Sequence, residues 1–155
     1  MKSQLSIVEK RAISSKNLQN RLNLNKKLGS KDLTSWLFKR YQIKKNDIIL
    51  ELGCGIGDHV IKEAKIVGTK GFIIATDYSV NSLKKLKKKN KSKNVLVKCI
   101  AMDDISTFLK KKKIRFDKII SSYALYYASN PIKVIKDCSK FLKKDLAFQS
   151  LKCGL

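Results

Sequence analysis

The chain has 155 residues, a formal net charge of +23 and 43% hydrophobic residues. This length and apolar content suit one domain with a buried core. No apolar run approaches the roughly 20 residues of a membrane-spanning helix, and the N-terminus lacks the apolar stretch of a signal peptide. Four scattered cysteines without a C-x-x-C pair argue against a metal site and favour a reducing compartment. We therefore expect a cytoplasmic protein without a metal ion.

The basic excess allows two interpretations. Clustered cations attract polyanions such as RNA, because phosphate binding releases counterions. However, 31 of the 35 basic residues are lysine, whereas sites that need bidentate contacts favour arginine. The lysine runs at 84–93 and 110–113 fall at predicted helix C-termini, where cations complement the helix dipole. The pattern favours solvated helix faces, and a nucleic-acid surface remains the alternative.

The first predicted unit is a polar, lysine-rich extension over residues 1–29, ahead of a domain over 30–155. Leu18, Leu22, Leu24 and Leu28 allow a weak helix within the extension. Ser30 predicts the start of a clearer helix over 31–41. The inner face of that helix is predicted to be Leu33, Trp36, Leu37 and Tyr41. We interpret Trp36 as a core residue rather than a substrate platform.

The most informative segment, at 48–58, reads Ile-Ile-Leu-Glu-Leu-Gly-Cys-Gly-Ile-Gly-Asp. A buried strand that breaks into a glycine turn and opens a helix brings backbone close to a small anionic or zwitterionic ligand. Gly53 suits a positive φ, and Gly55 lets the backbone touch a ligand without an intervening Cβ. We interpret Cys54, inside the turn, as a small packing residue beneath the ligand.

A βαβ pattern surrounds this turn. The helix that follows is predicted from Asp58 to a C-cap at Gly68, with an apolar face of Val60, Ile61, Ala64 and Val67. The next strand, 72–76, ends at Asp77, 20 residues after Gly57. One carboxylate there suits two neighbouring hydroxyls of a ribose. Ser79 predicts the N-cap of a further helix with Val80, Leu83 and Leu86 on its inner face.

The second half of the chain continues the alternation. Residues 94–99 and 116–122 are predicted strands, and 146–151 allows one short strand more. Asn130 and Pro131 predict the start of another helix. Its inward residues are predicted to be Ile132, Ile135, Phe141 and Leu142.

The segment from Glu51 to Gly57, together with Asp77, resembles the cofactor-binding motif of the class I S-adenosylmethionine-dependent methyltransferases. The resemblance extends over 47–144, and residues 116–127 resemble motif IV of that family. It implies an α/β fold, a Rossmann-like and mostly parallel sheet with flanking helices, and S-adenosyl-L-methionine as the cofactor. The implied cofactor contacts are Glu51, Gly53, Cys54, Gly55, Gly57, Asp77, Tyr78, Met102, Asp103 and Ser121.

The resemblance has two departures. The family's adenine-binding Asp falls on Ala101 here, so either a bulge brings Asp103 into place or backbone near Met102 holds the adenine edge. After Lys144 the family pattern continues with a fifth strand, a helix and a closing hairpin, but 11 residues follow here. We therefore expect a sheet that lacks the family's last strands and exposes an edge.

The resemblance implies an enzyme that transfers a methyl group to an unidentified small-molecule acceptor. No catalytic residue is assigned. His59 is interpreted as a local helix residue, and Tyr123, Tyr126 and Tyr127 as pocket wall. The alternatives are an RNA-associated methyltransferase or nucleic-acid-binding module, and a non-catalytic cofactor-binding domain that needs a partner chain.

Overall fold

The computed structural model describes residues 33–143 and 148–151. The structure divides into two compact parts between Gln42 and Ile43. The predicted extension over 1–29, its weak helix and the Ser30 cap lie outside the described residues. The predicted domain boundary at residue 29 therefore remains a prediction. Within the described residues, no helix combines the length and the apolar content needed to cross a membrane.

Helix α1 (Leu33–Tyr41) precedes the division. Leu37 and Tyr41 are buried, as predicted. The prediction for Trp36 is wrong, because this side chain is 41% exposed. The Arg40 guanidinium lies 4.6 Å from the centroid of the Trp36 ring. A cation above the ring face is a favourable arrangement that leaves the indole at the surface.

Among the described residues, five strands form one parallel sheet in the order β3-β2-β1-β4-β5. The strands are β1 (Ile48–Leu52), β2 (Phe72–Asp77), β3 (Val95–Cys99), β4 (Lys118–Ser122) and β5 (Phe148–Leu151). The central strand is β1, in which Leu50 pairs with Ile74 on one side and Ile119 on the other. The predicted α/β, Rossmann-like sheet is confirmed, as is the short strand within 146–151.

The strand order reverses between β1 and β4. The chain moves outward from β1 to β3 and then returns to place β4 on the other side of β1. In open α/β sheets the crevice at the carboxyl ends of the strands, at such a reversal, is where ligands bind. The fold therefore predicts a ligand site at the carboxyl ends of β1 and β4.

In the part of the chain that the structure describes, four helices connect the strands, together with two short 3₁₀ turns. The helices are α2 (Asp58–Val67), α3 (Val80–Lys89), α4 (Ile105–Lys110) and α5 (Pro131–Ser139). The turns are Met102–Asp104 and Leu125–Tyr127. Two predicted caps are confirmed: Ser79 Oγ accepts the Ser82 N–H at 3.2 Å, and Asn130 Oδ1 accepts the Lys133 N–H at 2.9 Å. Such caps satisfy amides that the first helical turn leaves without a partner.

The core fills the space between the sheet and the helices. Strand residues such as Leu50, Leu52 and Ile119 are fully buried. Two predicted inward residues are wrong, since Val80 is 54% exposed and Ile132 is 66% exposed. Both belong to the first turns of their helices, where the apolar periodicity does not reveal whether the sheet extends far enough to cover a side chain. The predicted Leu83 and Leu86 are buried on the inner face of α3, whereas Val134 and Cys138, which were not predicted, are the buried residues of α5.

The packing around Gly57 generates a prediction. A Cβ at Gly57 would lie 2.1 Å from Leu86 Cδ1, whereas a Cβ at Gly68 would meet nothing within 4 Å. Gly57 has left-handed helical φ and ψ of 80° and 22°, whereas the φ of 69° and ψ of −171° at Gly68 belong to a region that is essentially restricted to glycine. The backbone strain on alanine therefore differs between the two sites, so the clash is tested at Gly57 itself. We expect Gly57→Ala to lose about 1–3 kcal/mol more unfolding free energy in the native sequence than in a Leu86→Ala background, because only the native Leu86 makes the new Cβ overpack the core. Urea denaturation measures both, and equal losses would contradict the described packing.

Candidate functional site

Three glycines form the turn between β1 and α2. Gly53, Gly55 and Gly57 have φ of 74°, 54° and 80°, a region that residues with a Cβ rarely adopt. A Cβ at Gly53 would lie 2.1 Å from the Ala124 Cβ, so the turn packs closely against the segment after β4. A Cβ at Gly55 would meet nothing within 4 Å. Gly55 is therefore the point where bare backbone faces open space.

The carboxylate of Asp77 holds this turn from β2. Asp77 Oδ2 accepts the Gly55 N–H at 2.7 Å, and Asp77 Oδ1 accepts the Ser79 N–H at 2.8 Å. The Thr76 carbonyl accepts two further amides of the turn, from Gly53 and Cys54. A carboxylate has about four acceptor sites, so each Asp77 oxygen retains capacity for a hydroxyl. The structure thus brings together Gly55 and Asp77, two of the predicted ligand contacts.

Two carboxyl groups are buried beneath the turn. Glu51, on β1, is 2% exposed, and Glu63, on α2, is fully buried. With both groups ionised, Glu51 Oε2 and both Glu63 oxygens lack a hydrogen-bond partner among the described residues. Burial, followed by the nearby Glu63, raises the pKa of Glu51, and burial also raises the pKa of Glu63. The two carboxyls lie within hydrogen-bonding reach of each other, so a proton on one satisfies the other.

Glu63 did not enter the sequence-based prediction. It lies three residues after Val60 and four before Val67, both of which are buried on the inner face of α2. This spacing was the available signal, because residues three and four apart share one helix face. A charged residue on a predicted inner face means either that the face is wrongly predicted or that the carboxyl has a function. Glu63 is buried, so the face is correct.

Cys54 lies between Gly53 and Gly55 and is buried, as expected for a packing residue. Burial, followed by the Glu51 and Asp77 carboxylates and finally Glu63, raises the pKa of its thiol. The thiol therefore remains protonated at neutral pH and is a poor nucleophile.

The remaining predicted contacts separate into two groups. Met102 belongs with the turn, because its Cε would lie 2.8 Å from a Cβ at Gly53, and half-buried Tyr78 directly follows Asp77. Asp103 is exposed, and both of its carboxylate oxygens lie 3.1 Å from the Ser129 backbone N, whose N–H they accept. Ser121 is buried, and its hydroxyl donates to the Leu52 carbonyl at 3.2 Å. The last two side chains therefore bind backbone, and all four remain predicted ligand contacts.

A cavity of about 250 Å³ adjoins Met102, between α4 and α5. Its lining includes Met102, Asp103, Ile105, Ser129, Lys133 and Val134. Apolar side chains and hydrogen-bonding groups thus share one cavity next to the predicted adenine contacts, as is typical of pockets for small molecules.

One histidine and three tyrosines near the turn could in principle transfer a proton. His59 is the second residue of α2 and half-buried, and burial, followed by Lys62, lowers its pKa. Tyr123 follows β4 with a φ of 54°, a left-handed conformation that the sequence did not predict. The rings of Tyr126 and Tyr127 lie 4.4 Å apart, and Tyr126 is 46% exposed. This geometry assigns none of them as a general base.

The role of Asp77 in holding the turn can be tested through stability. In Asp77→Asn one carboxylate oxygen becomes an amide donor and faces a backbone N–H, so one hydrogen bond is lost. We expect a loss of about 1–3 kcal/mol of unfolding free energy. The matched control is Asp58→Asn, because Asp58 is exposed and pairs with the exposed Lys89 ammonium at 3.1 Å; exposed pairs contribute about 0–1 kcal/mol. Similar losses in both variants, measured by urea denaturation, would contradict the role of Asp77.

The buried carboxyl pair predicts a pH dependence of stability. The pKa of Glu63 is raised by burial from 4.5 to about 7 in the folded domain. The folded state therefore retains a proton that the unfolded chain releases, so the stabilisation is complete below the unfolded pKa and is lost as pH rises to the folded pKa.

Between about pH 4.5 and about pH 7, we expect the Tm of the native domain to fall, and the fall to be smaller in Glu63→Gln. Glutamine keeps the shape and can donate to Glu51 without titrating. Thermal unfolding across this range measures the effect. A Tm that rises with pH in both proteins by the same amount would show that the pair does not titrate in the folded state.

Comparisons with known proteins agree with this geometry. The family model described as a methyltransferase domain matches residues 43–154. A demethylmenaquinone methyltransferase of Lactobacillus johnsonii is 29% identical over 108 residues, which span 70% of this chain and 44% of that protein.

Solved structures show the same fold. A SAM-dependent methyltransferase from Aquifex aeolicus matches with a TM-score of 0.64 and 20% identity, covering 76% of this chain and 62% of that one. A SAM-dependent O-methyltransferase from Thermotoga maritima matches with a TM-score of 0.60 and 20% identity, covering 76% and 42%. This chain thus spans less than two thirds of each of these three relatives. The family match over most of the chain confirms the resemblance carried by Glu51, the glycine turn and Asp77: the chain belongs to the methyltransferase domain family.

Proposed function

We propose that this domain binds S-adenosyl-L-methionine at the glycine turn and catalyses the transfer of its methyl group to a small-molecule acceptor. The observation that carries the proposal is the open face of Gly55 opposite the Asp77 carboxylate, at the carboxyl end of β1. Membership of the methyltransferase domain family supports the reaction class. The relative named for demethylmenaquinone supports an acceptor that is a small molecule.

The residues of the turn fit this cofactor chemically. A Cβ at Gly55 would fill the space that the ligand needs, and the two Asp77 oxygens retain acceptor capacity for the two ribose hydroxyls. The cavity beside Met102 offers apolar contact and backbone groups for a flat heterocycle. Buried carboxyls beneath the turn suit a ligand that carries positive charge.

The bound cofactor supplies a methyl group on a positively charged sulfur, which is a good leaving group. The work of this chain is therefore to orient the two reactants and to exclude water, and orientation alone supplies much of the rate of such reactions. Asp77 and Gly55 fix the ribose and the adjoining chain of the ligand. Tyr126 and Tyr127 form an aromatic surface after β4 against which an acceptor ring can pack. A general base is needed only if the attacking atom must lose a proton.

The cofactor assignment is tested by a matched pair of substitutions. Gly55→Val places a side chain in the open space over the turn, whereas Gly68→Val adds the same side chain at another positive-φ glycine with open surroundings, at the C-terminus of α2 and away from the turn. We expect isothermal titration calorimetry to give saturable one-site binding of S-adenosylmethionine to the unsubstituted domain and to Gly68→Val. Binding to Gly55→Val should be lost.

Circular dichroism first establishes that both variants keep the fold. Unchanged affinity in folded Gly55→Val would place the ligand elsewhere. Failure of the folded, unsubstituted domain to bind the cofactor would remove the proposed function.

A further inference from the structure

Acidic residues are scarce in this chain, yet three surround the glycine turn. The whole sequence has 12 acidic residues against 35 basic ones. Glu51, Glu63 and Asp77 come from β1, α2 and β2, and the charges of all three act on the Cys54 thiol inside the turn. None of the described lysine or arginine side chains forms an ion pair with Glu51 or Glu63. The turn is therefore a negative point on a strongly positive chain.

Glu51 and Glu63 are the innermost of these groups. Two buried carboxylates that face each other repel, and neither donates a hydrogen bond. Three of their oxygens lack a donor when both are ionised. A single proton between them removes one charge and creates one hydrogen bond, so the free domain holds the pair with one shared proton. The other titratable groups around the pair are Asp77 and Cys54, and Asp77 adds to the negative charge at Glu51.

We propose that Glu63 is a positioning residue of the cofactor site, which shares one proton with Glu51 in the free domain and releases it when a ligand's ammonium group binds at the glycine turn. This inference rests on the proposed function, because the ammonium group belongs to the methionyl part of the cofactor. The carboxyl O–H bond breaks, its electron pair stays on the carboxylate, and the proton passes to solvent; no other bond changes, and the pair beneath the bound cation is then doubly ionised. Glu63 acts through Glu51 and sets the charge that the ligand meets.

Hydrogen-bonding chemistry favours the ammonium over the sulfonium of the same ligand. An ammonium can donate to backbone carbonyls of the turn, whereas a sulfonium has no N–H donor. The carboxyl oxygens without partners are buried, so they respond to the cation through its charge. Burial and Glu63 raise the pKa of Glu51, and the negative charge of Asp77 at the end of β2 raises it further. A charge at the carboxyl ends of the strands therefore acts on Glu51. A positive charge placed against the same turn has the opposite effect and favours ionisation of the pair.

Proton release is measured by isothermal titration calorimetry in buffers of different ionisation enthalpy, at a mildly acidic pH where the pair holds its proton. We expect S-adenosylmethionine and S-adenosylhomocysteine each to release about one proton, since both carry the ammonium. 5′-Methylthioadenosine keeps the adenosine part but lacks the ammonium, and should bind without proton release. Asp58→Asn, which alters an exposed carboxyl on the same helix, should release the same proton as the unsubstituted domain.

Glu63→Gln is the decisive variant. Burial still favours a proton on Glu51 in this variant, but the charge of Glu63 and the hydrogen bond to it, which also favour that proton, are removed. Binding should therefore persist while proton release falls below that of the unsubstituted domain. A residue with a merely structural role would change affinity or stability without reducing the buffer dependence of the binding enthalpy.

The outcomes separate the two proposals. Saturable cofactor binding without proton release, or full release in Glu63→Gln, overturns the role of Glu63 and leaves the proposed function intact. Release with S-adenosylmethionine but not with S-adenosylhomocysteine overturns the assignment to the ammonium. Absence of binding by all three ligands overturns both proposals together.

Discussion

The hydrogen bond from the Gly55 N–H to Asp77 Oδ2, at 2.7 Å, is the interaction on which the candidate site depends. It joins the glycine turn after β1 to the end of β2, and the second oxygen of the same carboxylate accepts the Ser79 N–H at the start of α3. One side chain thus fixes the turn, a strand end and a helix start. Three positive-φ glycines in five residues form a conformation that local preferences alone do not select. The Asp77 carboxylate and the Thr76 carbonyl supply the acceptors that stabilise it.

The same turn has a crowded side and an open side. Gly53 and Gly57 lack room for a Cβ because Ala124 and Leu86 approach them, whereas Gly55 has open space above it. Beneath the turn lie buried carboxyls, and outside it the surface is rich in lysine. The open backbone at Gly55, above the buried carboxyls, suits a ligand that carries both a diol and a positive charge. The geometry of the site and the family membership therefore favour the same cofactor, S-adenosyl-L-methionine. The lysine-rich α3 ends with Lys87, Lys88 and Lys89, as expected for cations at a helix C-terminus.

Local signals in the sequence were sufficient to predict the glycine turn and the Asp77 carboxylate that holds it. Gly55 and Asp77 follow apolar strand runs, and the helix caps at Ser79 and Asn130 are single-residue features whose chemistry is local. Tertiary context decided the rest. Glu63, which the sequence analysis did not single out, is buried because its helix face meets the sheet, although charged residues are ordinarily exposed. Val80, Ile132 and Trp36 are exposed although they are apolar, because periodicity identifies a helix face but not how far the neighbouring layer extends. The left-handed Tyr123 has no sequence signal at all, since it is not a glycine.

The most direct measurement of the central claim is an NMR titration of the isotopically labelled domain with S-adenosylmethionine, following assigned backbone amides. The Gly55 and Ser79 amides both donate to Asp77 and report on the turn from its two sides, while the Gly68 amide donates to the Ala64 carbonyl at the far end of α2. We expect saturable shifts at Gly55 and Ser79 with one common Kd and an unchanged Gly68 signal. Saturable shifts confined to other parts of the sheet, or no shifts in a folded sample, would contradict the central claim.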